Sequence, residues 1–271
     1  MKLKIVILLS LCYTILLASC GNKTTKDIVP KHDTFKLQSN QLKEERTINV
    51  WTPKEYEHNL DSLPVIYMAD GGIGEDFPHI ANTLEELIKE QKIPAVILVG
   101  IENTQRRRDL TGFTTVAKDK EIAPEVGGSK KFRAFIKEEL FKEIDKRYRT
   151  KDEKTILGES ASGLFVMETF FVEPEMFANY IAFDPSLWWN NHYLVRTAQA
   201  SLDQNSAVKR KLWFAGSNAT DIAPYTNELA TILAGNENKN LVWNYSDEPN
   251  EGHTTIFRAT KKQALLWTLS K

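Results

Sequence analysis

The apolar pattern of this chain predicts an α/β fold, a mainly parallel sheet with helices on both faces. Three observations lead there. Short runs that are apolar throughout recur along the chain, as strands buried on both faces require. Longer stretches with i, i+3, i+4 apolar spacing lie between them, the signature of a helix with one buried stripe. The two kinds alternate, which sets successive strands parallel with helices crossing over the sheet.

In order, Thr47 to Trp51 opens the domain as a strand. Val65 to Met68 follows, and Ile80 to Lys89 then carries a helical stripe. Val96 to Ile101 is the next strand, succeeded by Phe132, Phe135, Ile136, Leu140 and Ile144 on one helix face. Thr155 to Leu157 leads into the helical run Leu164 to Phe171, and Tyr180 to Phe183 is again β-type. Leu212 to Ala215 precedes the helix Tyr225 to Leu233, and Leu241 to Tyr245 precedes the last, Thr254 to Leu269. In such sheets ligands bind beyond the carboxyl ends of the strands, so the residues just after each strand are the ones that can carry chemistry.

The 271 residues suffice for one large domain, with 42% hydrophobic and 26% charged residues and a formal net charge of -1. A near-neutral chain lacks the cationic field that nucleic acid binding needs. At the N-terminus, Lys2 and Lys4 precede an apolar run from Ile5 to Leu17, shorter than the ~20 residues that span a bilayer. Residues 1–19 therefore read as a secretion signal. The run ends in Leu17-Ala18-Ser19-Cys20, which resembles a bacterial lipobox, with Cys20 the lipidated residue. That places the protein in the bacterial cell envelope, periplasmic or at the cell surface, held to the membrane by its lipid. Cys12 leaves with the signal, so the mature chain has no free thiol for disulfide, metal or nucleophile chemistry. Residues 20–42 are polar and read as a tether without fold, and 43–271 as the folded domain.

After Thr155-Ile156-Leu157 comes Gly158-Glu159-Ser160-Ala161-Ser162-Gly163, a G-x-S-x-G-like elbow in which Ser162 replaces the second glycine. A sharp strand-to-helix turn lifts a serine hydroxyl out of the sheet, and small neighbours keep the turn free of clashes. The competing reading of Ser160 is a helix N-cap. A serine nucleophile needs a base. Of the five histidines, His253 follows the last strand in a loop with Glu251 and Gly252, where the base belongs; His32, His58, His79 and His192 read as surface residues. The chain order nucleophile, acid, histidine is that of α/β hydrolases. The acid therefore falls between Ser160 and His253, with Asp221 first and Asp184, directly after a strand, as its competitor.

The oxyanion of a tetrahedral intermediate needs backbone N–H donors, for which Ala161 and Gly72 of Asp70-Gly71-Gly72 are the candidates. Arg106-Arg107-Arg108 falls on the same rim, usually a solvated loop; Arg108 pointing inward would pair a substrate carboxylate, phosphate or catecholate. Trp188 and Trp189 offer walls for an acyl or aryl pocket. Gly127-Gly128-Ser129-Lys130 lacks phosphate-loop spacing and reads as a helix start. Neither a metal cluster nor a cofactor fingerprint is present, so no metal and no cofactor is implied.

Five segments together are similar to the "putative esterase" family, the esterase D-like branch of α/β hydrolases that includes the enterobactin and salmochelin trilactone esterases. They are Pro64 to Gly71; Val99-Gly100-Ile101 with Arg108-Asp109-Leu110-Thr111; Gly158 to Phe165; Pro185-Ser186-Leu187-Trp188-Trp189; and Gly252-His253 leading into Gln263-Ala264-Leu265-Leu266. The resemblance runs from about Thr47 to the C-terminus. It implies the α/β-hydrolase fold, Ser160 and His253 in catalytic positions, Gly72 at an oxyanion position, and ester hydrolysis on substrates ranging from siderophore lactones to acylated sugars and glutathione thioesters. Glu159 and Ser162 depart from the family's usual histidine or glutamine and glycine, and the acid position is not matched. The function expected is a serine esterase working through an acyl-enzyme on a small-molecule or glycan ester. A ligand-binding lipoprotein that has lost catalysis and an acyltransferase are the alternatives.

Overall fold

The apolar runs assemble into one eight-stranded sheet in the computed structural model, which describes residues 27–270. The signal and Cys20 lie outside the described residues. In chain order the elements are β1 (Asp33–Gln38), β2 (Glu45–Trp51), β3 (Leu63–Met68), α1 (Phe77–Lys89), β4 (Ile97–Ile101), α2 (Arg106–Leu110), α3 (Ala117–Ile122), α4 (Ser129–Phe135), α5 (Phe141–Arg147), β5 (Thr150–Glu159), α6 (Ala161–Val172), β6 (Asn179–Phe183), α7 (Trp189–Arg196), α8 (Ala198–Gln204), β7 (Arg210–Ser217), α9 (Ala223–Ala234), β8 (Leu241–Glu248) and α10 (Ile256–Leu269). A π-helical turn, Ile136–Leu140, joins α4 to α5.

The strands lie in the order β1-β2-β4-β3-β5-β6-β7-β8. The pairs β1/β2 and β2/β4 are antiparallel and the remaining pairs parallel. This is the α/β-hydrolase fold that the sequence predicts. Period-2 alternation divides each central strand between two cores. Ile97, Val99 and Ile101 of β4 pack with α4, α5, α6 and α9 on one face, while Leu98 packs with α1 and α10 on the other. Leu212 and Phe214 of β7 divide from Trp213 and Ala215 in the same way. The crossovers therefore bring the ends of β3 to β8 together on one rim.

Two expectations are corrected here. The segment read as an unstructured tether contains β1, which pairs with β2 from Asp33↔Val50 to Gln38↔Glu45. Its alternation explains this: Phe35 and Leu37 pack against the core, and the Arg147 guanidinium lies 4.2 Å from the Phe35 ring centroid. His79 is buried rather than on the surface. Its ring packs edge-on against Phe257 at 4.8 Å, with Nε2 3.0 Å from Asp76 Oδ1. That burial lowers its pKa below the ordinary value.

Candidate active site

Ser160 stands between β5 and α6 with φ 59° and ψ -116°, a conformation that L side chains rarely adopt. Such strain, about 1–3 kcal/mol, persists only where surrounding structure enforces it. Here Ser160 N donates to Phe183 O at 3.0 Å, and Ser160 O accepts from Leu164 N at 2.8 Å and Ser186 N at 3.1 Å. The flanking glycines are required: a Cβ on Gly158 would overlap Ser162, and one on Gly163 would press on Phe183 O and Pro185. Ser162, standing where the motif usually has glycine, is fully buried, and its Oγ has no hydrogen-bond partner among the described residues.

His253 arrives from the loop between β8 and α10. Gly252 N donates to Thr255 Oγ1 at 3.0 Å, and Asn218 N, just past β7, donates to Glu251 O at 3.0 Å, which together fix this loop over the rim. His253 Nε2 lies 3.0 Å from Ser160 Oγ, so the two side chains that the sequence singled out are brought together.

The partner of His253 Nδ1 is Asp184, with Oδ2 at 2.7 Å, and not Asp221. β6 is the immediate neighbour of β5 in the sheet, so a residue just past its end rises directly beside the elbow. Asp184 has no exposed surface, and it accepts from Ser217 N at 2.7 Å and Ser217 Oγ at 2.8 Å. Asp221 lies beyond the end of β7 at the surface and reaches His253 only through its field. With Asp184 ionised, Nδ1–H donates to it and Nε2 is left as acceptor for the serine hydroxyl. The hydrogen bond that His253 donates to Asp184, with the charge of Glu159 as a further contribution, raises the His253 pKa above the ordinary histidine value.

Ala161 N–H heads α6, where the first amides have no intrahelical acceptor, so it is available beside Ser160. Gly72 is not: its N–H donates to Glu75 Oε2 at 2.7 Å, because that side chain turns back within the same tight turn. Asn103 bridges the two acids, donating to Glu75 Oε1 at 2.8 Å and Asp70 Oδ1 at 2.5 Å.

The arginine that faces this rim is Arg106, whose Nε and Nη2 clamp Asp70 at 2.5 and 2.7 Å. Arg108 is turned away, committed to Asp109 at 2.7 Å and Glu44 at 2.6 Å, which withdraws it as a substrate contact. Trp189 is likewise withdrawn: it is buried, with Nε1 donating to Gly112 O at 3.1 Å. Trp188 instead lines a cavity of about 680 Å³ with Lys118, Asn191, Arg196, Asp221 and Tyr225. The turn that shapes this cavity holds three consecutive non-glycine residues at positive φ, Asn190, Asn191 and His192. The buried carboxylate of Asp119 holds the turn by accepting from Asn190 N at 2.8 Å, and the His192 ring stacks on Tyr225 at 4.9 Å. Nothing in the residue pattern of Asn190-Asn191-His192 marks this turn.

The family described as "Putative esterase" matches residues 39–269. The chain belongs to that family. Among curated relatives, the esterase is 28% identical to the ferri-bacillibactin esterase BesA of Bacillus subtilis over 76% of its length and 78% of that protein. It is 24% identical to the apo-salmochelin esterase of Escherichia coli O6:H1 over 82% and 74% of the two chains. An IroE-like serine hydrolase from Shewanella oneidensis superposes with a TM-score of 0.76 at 25% identity, covering 88% of this chain and 79% of that one. The BES protein from Bacillus cereus gives 0.79 at 21% identity, covering 92% and 99%, and speaks for the fold alone. The reaction class of the esterase is carboxylic ester hydrolysis.

Proposed function

We propose that the esterase opens the lactone esters of a siderophore by a two-step acyl transfer in which Ser160 is the nucleophile, His253 the base and Asp184 the acid. The observation that carries this reading is the unbroken line from Asp184 through His253 to Ser160, at 2.7 and 3.0 Å. His253 Nε2 takes the proton as Ser160 Oγ attacks the ester carbonyl, and Ala161 N–H receives the oxyanion. The imidazolium then gives its proton to the departing alkoxide, which in a lactone stays tethered to the acyl chain. Water repeats the sequence to free the serine. Gly72 N–H adds a second donor only when substrate displaces Glu75.

The substrate class is supported by the relatives, named for ferri-bacillibactin and apo-salmochelin. It is supported further by a roomy cavity lined by the half-buried Trp188 and the cations Lys118 and Arg196. A catecholate trilactone is therefore expected to be hydrolysed by the wild type and not by Ser160→Ala, with products followed by mass spectrometry. Faster hydrolysis of an acetylated xylan fragment than of the lactone would overturn the substrate assignment. We also propose that Cys20 is acylated and tethers the enzyme to the bacterial envelope; labelling with a palmitate analogue that survives Cys20→Ala would overturn that.

A further inference from the structure

Directly before the nucleophile stands Glu159, whose carboxylate has a job that the triad does not explain. Its side chain is 17% exposed, with Oε1 3.6 Å from His253 Nε2, the nitrogen that faces Ser160. The carboxylate makes no hydrogen bond among the described residues. Arg106 spends its guanidinium on Asp70 and hydrogen-bonds only the backbone O of Glu159, at 3.3 Å. The charges facing Glu159 are His253, Arg106, Asp76 and Asp70; those facing His253 are Asp184, Glu159 and Asp221. A largely buried carboxylate with no hydrogen-bond partner among the described residues thus stands beside the nitrogen that faces Ser160. Lys118 and Arg196 line a separate cavity.

We propose that Glu159 is a specificity-determining residue, a charge filter at the nucleophile that favours esters neutral or cationic beside the scissile carbonyl and rejects those carrying a carboxylate there. The inference rests on the hydrolase reading above. It also gives the product a fate. Hydrolysis turns a neutral ester into a carboxylate at the same place, so the filter disfavours rebinding of the product, while acidic groups farther out still meet Lys118 and Arg196. Glu159 is in addition a positioning residue for the imidazolium that forms when Ser160 loses its proton, since an anion near Nε2 stabilises that cation.

Burial pushes the Glu159 carboxyl up to about 7, so the filter is weak at pH 6 and strong at pH 8. The test uses the full chain and three p-nitrophenyl esters: acetate, the monoester of glutarate, and a trimethylammonio-butyrate. In the wild type, the glutarate-to-acetate ratio of kcat/KM falls as pH rises through about 7, and the cationic ester moves the opposite way. In Glu159→Gln the ratios are flat, and glutarate gains on the order of tenfold over acetate at pH 8, the scale of one partly buried charge several ångströms from the reacting centre. The acid limb for acetate moves to lower pH, because one of the anions that raise the His253 pKa is gone. A wild-type ratio that does not change with pH, or a Gln variant that keeps both ratio and limb, overturns the inference while leaving the esterase intact. Failure of the wild type to hydrolyse any ester overturns the hydrolase reading itself.

Discussion

Replacing Asp184 by Asn tests the assignment of the acid most sharply. The Asp184 carboxylate faces three donors, Ser217 N at 2.7 Å, Ser217 Oγ at 2.8 Å and His253 Nδ1 at 2.7 Å. An asparagine can keep Ser217 N with its carbonyl oxygen, but its NH₂ then meets His253 Nδ1. The imidazole answers by carrying its proton on Nε2, the nitrogen that must accept from Ser160. In a serine triad the wrong tautomer costs about 10⁴ in kcat, or about 5 kcal/mol of barrier. Asp221→Asn removes only an exposed charge and should cost less than about threefold. The assay is kcat and kcat/KM on a p-nitrophenyl ester from about pH 5 to 9, with thermal melting as a control for folding. Asp184 holds the His253 pKa above its ordinary value of roughly 6.5, so activity is lost as pH falls through that raised pKa. The residual activity of Asp184→Asn should therefore have its acid limb at lower pH. A variant within tenfold of wild type, beside a thousandfold loss in Asp221→Asn, would refute the assignment.

Three further outcomes follow from the site and its supports. Ser162→Ala removes a buried hydroxyl that has no partner and should stabilise by about 1 kcal/mol, seen as a melting temperature about 2–4 °C higher; a lower one would show that the hydroxyl is satisfied. Glu75→Ala frees Gly72 N–H and should raise kcat by up to about tenfold, the strength of one charge-assisted hydrogen bond being about 1.5–3 kcal/mol; a tenfold loss instead would mean that Glu75 holds the loop in its working shape. Asp109→Ala leaves the buried Arg46 guanidinium with Glu44 as its one remaining carboxylate partner among the described residues and should cost up to about 3–5 kcal/mol, measured by urea unfolding, where a loss below 1 kcal/mol would contradict it.

Much of this architecture can be read from the chain because burial on both faces leaves an unambiguous mark. All seven of the apolar runs that read as strands are strands, within a few residues at their ends. β1 escapes because an edge strand buries only alternate residues, and Phe35 and Leu37 among polar residues look like tether. Ser160 and His253 are legible because each sits at a fixed place in the strand–loop order. The acid is not, since an aspartate past β6 and one past β7 are equivalent in sequence; only the sheet order and the two bonds from Ser217 separate Asp184 from Asp221. Arg108 and Trp189 mislead for a related reason. A charged or aromatic residue on the right rim has several directions open to it, and Glu44, Asp109 and Gly112 O claim these two.

The claim beneath the whole account is that the Ser160 hydroxyl is activated by His253. The most direct measurement is intact-mass and peptide mapping of the full chain after treatment with a fluorophosphonate. One adduct per chain is expected on Ser160, absent in Ser160→Ala and slowed at least a hundredfold in His253→Ala, as expected when the general base is removed. Labelling at another residue, or labelling of Ser160 at an undiminished rate without His253, would contradict it.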